Sequence, residues 1–233
     1  MKPFFSLIIA FLLTCSISGN CIGATTLYVF YPSVIRPAVL EDILEKICPN
    51  IEVSVFGRYQ DFKAKVESDH PSGILTKPQM LSQLTGYSLK YSGVRKGKSE
   101  ERYVFLSIDK SVDVSSLNQK TIGVVDFLGR KGMEDFVKEI IHGSPKITRV
   151  TKIEDLIPLL TFNMADAVLV NESTLAFIKK TSNLNFVTTE IPNATAGILM
   201  FANSKKTGTL DDDKCVVKLP ENVLVNLGIE QWK

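Results

Sequence analysis

Short runs of β-branched and aromatic residues recur along this chain, most of them separated by segments long enough for one helix. The runs are 26–30, 51–56, 73–76, 89–93, 102–108, 121–125, 147–150, 165–170, 185–189 and 197–202. Turn residues close the first three: Tyr31-Pro32-Ser33, Gly57 and Lys77-Pro78. Strands alternating with helix-length segments build βαβ units, so the pattern predicts an α/β fold with a largely parallel sheet.

The intervening segments carry helical stripes. Ser33 is placed to cap a helix bearing Ile35, Val39, Leu40, Ile43, Leu44 and Ile47, with Pro37 tolerated in its first turn. Phe62 and Val66 mark a short helix, and 79–84 another. After Asp126-Phe127-Leu128-Gly129, the residues Met133, Phe136, Val137, Ile140 and Ile141 share one face, and Gly143 stops the helix. Thr151-Lys152-Ile153-Glu154 has capping-box spacing before a helix that Pro158 should shorten. Two such α/β series, joined by the polar connection 111–119, predict two α/β lobes with a central cleft. The expected division is 25–108 plus 203–233 in the first lobe and 109–202 in the second.

The first 24 residues stand apart from this alternation. Met1-Lys2-Pro3 is positive, Phe4 to Leu13 is apolar with one hydroxyl, and Ile22-Gly23-Ala24 offers a small-residue cleavage site. That order is a secretory signal peptide, cleaved after Ala24, and it predicts a periplasmic mature chain. The apolar run is shorter than the ~20 residues a spanning helix needs. Cys15 and Cys21 leave with the signal, so Cys48 and Cys215 remain in a compartment that permits disulfides. They either bridge or stay as two buried thiols. His70 and His142 are the mature chain's histidines and read as surface residues at helix ends, too few for a histidine-built metal site or triad.

A 45% hydrophobic composition excludes a wholly disordered chain, and 27 Lys+Arg against 25 Asp+Glu excludes the basic surface of a general nucleic-acid binder. The chain has no G-x-S-x-G, P-loop, G-x-G-x-x-G, H-E-x-x-H or C-x-x-C motif. No catalytic residue, cofactor or metal is therefore expected, and the protein is expected not to be an enzyme. What remains are the strand-to-helix turns. Ligands of α/β sheets bind outside the carboxyl ends of the strands, where helix N-termini attract anions. The candidate ligand residues are Tyr31, Ser33, Thr76 and Lys77 on one wall and Phe127, Arg130, Asn171 and Glu172 on the other. Aromatic rings, hydroxyls, two cations and a carboxylate suit a small polar or anionic ligand.

Ser116-Leu117-Asn118-Gln119-Lys120-Thr121-Ile122-Gly123-Val124 resembles the L-x-G-K-x-V-G-V opening strand of the phosphonate-binding-like solute receptors of ABC transporters. Asn163-Met164-Ala165-Asp166-Ala167-Val168-Leu169-Val170 is similar to their G-x-x-D-A strand. The resemblance covers about 26–202 and implies the type 2 periplasmic-binding-protein fold, crossed twice by the chain near 107–116 and 190–202 and closing on its ligand by a hinge. Where those receptors carry hydroxyls at the second lobe's first helix, this chain has Phe127-Leu128-Gly129-Arg130, which leaves the ligand open. The implied function is an exported solute-binding protein whose partners are a small-molecule ligand and a membrane transporter permease. The alternative is a periplasmic sensory or accessory subunit whose partner is a membrane sensor protein.

Overall fold

The computed structural model describes residues 25–206 and 213–233. The expected export signal, 1–24 with cleavage after Ala24, lies outside them, as do Asp211 and Asp212. Among the described residues no helix is long and apolar enough to cross a membrane.

The chain opens with β1 (Thr26–Val29), α1 (Pro37–Ile47), β2 (Glu52–Val55), α2 (Tyr59–Asp69), β3 (Gly73–Thr76), α3 (Pro78–Leu81) and β4 (Tyr87–Val94). It continues through β5 (Glu100–Ile108), a 3-10 turn at Val114–Gln119, β6 (Thr121–Val125), α4 (Gly129–Ile141), β7 (Lys146–Val150), α5 (Leu156–Thr161), β8 (Ala167–Asn171) and α6 (Glu172–Thr181). It closes with β9 (Phe186–Gly197), β10 (Met200–Ser204), α7 (Asp213–Val217), α8 (Glu221–Asn226) and β11 (Gln231–Trp232). One six-stranded sheet runs β11-β4-β10-β3-β1-β2 and one five-stranded sheet runs β7-β6-β8-β5-β9. These are the two α/β lobes.

β1 sits inside the first sheet, parallel to both neighbours, with Leu27 opposite Val53 and Gly73. Its alternate residues enter different cores. Leu27, Val29 and Tyr31 pack with Leu40, Leu44, Leu224 and Leu227, whereas Tyr28 and Phe30 meet Phe62 on the other face. Burial on both faces is why such strands read as continuous apolar runs. The core around Phe30, Phe62 and Met80 also includes Tyr103, Phe127, Met133 and Phe136 of the second lobe, so apolar packing is continuous between the lobes.

The sheets are mixed rather than largely parallel. β10 is antiparallel to β3 and β4, and β5 is antiparallel to β8 and β9. These strands lead directly from one lobe to the other with no crossover helix, so nothing turns them back to run alongside their neighbours. The crossings also differ from expectation. The chain leaves the first sheet at 95–99 rather than near 107–116, because β5 hydrogen-bonds to the second sheet along its length. It returns at Ile198–Leu199, between β9 and β10. Residues 100–108 therefore belong to the second lobe, and the first lobe regains the chain at 200.

Some local expectations fail at the helices. α1 begins at Pro37 with Arg36 as its N-cap, and Ser33 instead accepts a hydrogen bond from the Ile35 N–H at 3.1 Å. Val39, expected on the buried stripe, is exposed. The capping box at Thr151 does not form: a 3-10 turn at Ile153–Asp155 precedes α5, and its N-cap makes no side-chain hydrogen bond. His70 and His142 are exposed αL residues at the ends of α2 and α4.

Cys48 and Cys215 are disulfide-bonded with Cα atoms 5.5 Å apart, joining the end of α1 to α7 across 167 positions. The C-terminal segment is sewn onto the same lobe, with the Trp232 indole N–H donating to the Val216 carbonyl at 2.9 Å and β11 pairing with β4.

Candidate functional site

The strand-end turns of the two lobes meet at Lys77. It follows β3, and Pro78 begins α3 directly after it, which holds the Lys77 backbone extended and directs the side chain off the end of the strand. Its side chain is 2% exposed. The ammonium lies 3.2 Å from Glu101 Oε1, 5.4 Å from the centre of the Tyr31 ring and 5.9 Å from that of Phe127. A carbonyl, that of Gly197, accepts from it at 3.5 Å. Tyr31 belongs to the first lobe; Glu101 and Phe127 belong to the second. A carboxylate and two ring faces around one cation is the composition of an ammonium-binding cage, and here the chain's own lysine fills it.

Glu101 is held as firmly as its partner. Oε1 also accepts from the Asn171 amide at 2.5 Å, and Oε2 from the Ser173 hydroxyl at 3.2 Å. Asn171 caps α6, its Oδ1 accepting from the Thr174 N–H at 2.9 Å, so one residue both ends β8 and orients the buried carboxylate. Burial pushes the Tyr103 phenol well above its ordinary range, and the Glu101 charge adds to the shift. Burial also raises Tyr31, against the opposing pull of Lys77. Both phenols stay neutral in the pH range of life.

The turn before α4 is built by Asp126. Its Oδ1 accepts from the Gly129 N–H at 2.7 Å and the Leu128 N–H at 3.3 Å, and its other oxygen pairs with the Arg149 guanidinium. Gly129 takes φ +73° there and lies against the Tyr59 ring, which a Cβ would approach to 3.2 Å. The turn projects Phe127 inward, 4% exposed and edge-on to Phe136. At the opposite wall, Gly197 lets β9 pass Pro78, whose Cγ would lie 2.3 Å from an added Cβ.

Of the eight expected ligand residues, Tyr31, Lys77, Phe127 and Asn171 come together. The Thr76 hydroxyl is fully buried and donates to the Phe30 carbonyl at 3.0 Å. The Ser33 hydroxyl faces α8, donating to the Asn226 carbonyl at 3.4 Å. Arg130 is exposed on the first turn of α4 and lines neither pocket described below. Glu172 lies at the mouth, accepting from Arg102 Nε at 3.1 Å. Sequence reading missed Glu101, Arg95 and Arg102. A signal for Glu101 existed: it shares the alternation of Tyr103 and Phe105, which places a carboxylate on the buried face of β5.

Two spaces adjoin the ion pair. The first, between Pro32, Lys77, Tyr103, Phe127, Asn171 and Thr174, is a cavity of about 30 Å³. It has room for no more than a few water molecules at roughly 10–15 Å³ each. The second opens beside the crossings, about 310 Å³ in volume, with Arg95, Lys98 and Arg102 facing Glu101 and Glu172 over Ile198.

No family model matches this chain, and no curated protein matches it. Solved structures do. The chain is similar to the BvgS VFT2 domain of Bordetella pertussis, with a TM-score of 0.60 at 11% identity over 88% of this chain and 91% of that one. It is similar to ArtJ, the arginine-, lysine-, histidine-binding protein of Geobacillus stearothermophilus, with a TM-score of 0.56 at 15% identity over 83% and 88%. XAC2383 from Xanthomonas citri bound to ATP gives a TM-score of 0.60 at 9% identity over 90% of each chain. The fold is the type 2 periplasmic-binding-protein fold. These likenesses carry the fold alone.

Proposed function

We propose that this protein is an exported solute-binding protein that captures a small polar or anionic ligand between its two lobes and presents it to the permease of an ABC-type transporter. The observation that carries the reading is convergence: Tyr31 and Lys77 from one lobe meet Glu101, Phe127 and Asn171 from the other at a point neither lobe completes alone. Such a junction makes the open–closed equilibrium sensitive to anything that binds there, and a ligand favouring the closed form shifts it by its differential affinity. No bond is made or broken, and no cofactor is needed. The reading includes signal cleavage after Ala24, release into the periplasm and a place in the phosphonate-binding-like branch.

Thermal-shift screening of the purified protein tests it, with amino acids, polyamines, vitamins, phosphonates and inorganic oxyanions as the panel. A ligand present at about 100 times its Kd stabilises the folded state by about 2.7 kcal/mol, a shift readily measured. A flat response across every class refutes capture of a small solute.

A further inference from the structure

We propose that the pocket beside the two crossings, rather than the strand-end cavity, anchors the ligand, and that it takes a small oxyanion on the Arg95 guanidinium. This rests on the solute-binding reading and names the chemistry its ligand would carry.

The strand-end cavity holds about 30 Å³, and its cation and carboxylate already neutralise each other in the Lys77–Glu101 pair. The pocket at the crossings holds about 310 Å³, enough for a small dicarboxylate or a phosphate. Its acids are engaged within the protein. Glu101 accepts from Lys77, Asn171 and Ser173. Glu172 accepts from Arg102 and lies 3.9 Å from the Lys96 ammonium. Glu100 accepts from the Thr195 hydroxyl at 2.9 Å. Arg95 differs: its Nη1 is buried with no hydrogen-bond partner among the described residues. A guanidinium nitrogen removed from water without an acceptor is costly, and such groups are rare unless something else satisfies them.

The backbone beneath Arg95 is fixed in advance. Its N–H and carbonyl both pair with Lys98, at 2.8 and 3.0 Å. The C-terminal segment clamps the same hairpin, with the Glu230 N–H donating to the Val94 carbonyl at 2.8 Å and the Lys96 N–H donating to Glu230 Oε2 at 2.9 Å. Gly93 lies so close to Ile229 that a Cβ would meet its Cγ2 at 2.5 Å. A planar donor fork on a fixed hairpin, with Lys98 on the same wall, suits a carboxylate or phosphate better than a neutral or cationic group. Arg95 stands on the connection between lobes, so an anion seated there touches the element that moves when they open.

Isothermal titration of the purified protein with inorganic phosphate and with succinate, using succinamide as the neutral counterpart, decides the matter. At least one anion is expected to bind while succinamide does not. Arg95→Met should weaken that binding roughly 10- to 100-fold, the range for losing a charge-assisted contact, and Arg95→Lys by less. Lys46→Met, on the outside of α1, is the control for general charge and should leave the affinity unchanged. Phosphate binding without succinate binding identifies the anion as phosphate, and the reverse as carboxylate. Unchanged affinity in both Arg95 variants overturns the proposal, and so does equal loss in Lys46→Met. A neutral or cationic ligand whose affinity ignores Arg95 overturns it while leaving the solute-binding reading intact. Absence of binding by every class overturns both.

Discussion

Replacing Glu101 by Gln isolates the buried ion pair at little change in volume. At 3.2 Å and an effective dielectric of about 20, two unit charges attract by about 5 kcal/mol. Desolvating each ion costs several kcal/mol, so the intact pair adds little net stability. Removing one partner is different, because the remaining charge stays buried. Glu101→Gln leaves the Lys77 ammonium with two ring faces, the Gly197 carbonyl at 3.5 Å and a neutral amide oxygen. Breaking a buried pair typically costs 3–5 kcal/mol, and the retained amide acceptor places this case near the lower end, at about 3 kcal/mol. For a chain of this size that lowers Tm by roughly 6–12 °C. Lys77→Met should cost less, since the Glu101 carboxylate keeps its Asn171 and Ser173 donors. The double variant should regain most of the loss, to within about 1 kcal/mol of wild type. Thermal and urea unfolding followed by circular dichroism measure all three. A Glu101→Gln protein melting within about 2 °C of wild type, or a double variant no more stable than the worse single one, refutes the reasoning.

Two further outcomes follow from the first lobe. Breaking the Cys48–Cys215 bridge with the Cys48→Ser/Cys215→Ser pair should lower stability by about 2–5 kcal/mol, and alkylation of the signal-free chain without reductant should label no thiol; two labelled thiols would show that the bridge does not form. The Asp69 carboxyl is held down at about 2 by the Ser68 hydroxyl and then by the Tyr28 hydroxyl, which donates at 2.6 Å. Its folded value lies below the ordinary 3.8, so its stabilisation is complete above pH 3.8 and is lost as pH falls toward 2. Burial and then the Asp69 hydrogen bond push Tyr28 up to about 12, so its share is present below pH 10 and lost as pH rises through 12. Asp69→Asn should therefore flatten the acid limb of the stability–pH profile between pH 4 and 2; an unaltered limb in chemical denaturation would refute the assignment.

Some of this molecule was already written in local order. The short apolar runs located β1, β3, β6 and β8, because strands covered on both faces need unbroken apolar residues. The stripe Met133, Phe136, Val137, Ile140 and Ile141 located α4, all five buried. Asn171 was legible as a turn residue and proved to be the cap of α6. The strand-end rule brought out Tyr31, Lys77, Phe127 and Asn171, since each sits where a strand hands over to a helix. Ser33 and Thr76 satisfied the same rule and were then drawn away by the Asn226 and Phe30 carbonyls, acceptors that no local pattern reveals.

What the chain determined by itself is what neighbours within a few residues determine: where strands and helices lie, that they form an α/β protein of two series, and which turns end on the cleft. Long-range register decided the rest. The direction of β5 and β10, the crossings at 95–99 and 198–199, and the Cys48–Cys215 bridge all depend on which distant strand or helix a segment meets. The Lys77–Glu101 pair spans 24 positions and joins the end of β3 to the start of β5 in the other sheet, whereas Asn171–Glu101 spans 70 positions and follows from the antiparallel pairing of β8 with β5. The burial that makes those charges consequential is a property of the packed lobes, whose shared apolar core excludes water from the junction.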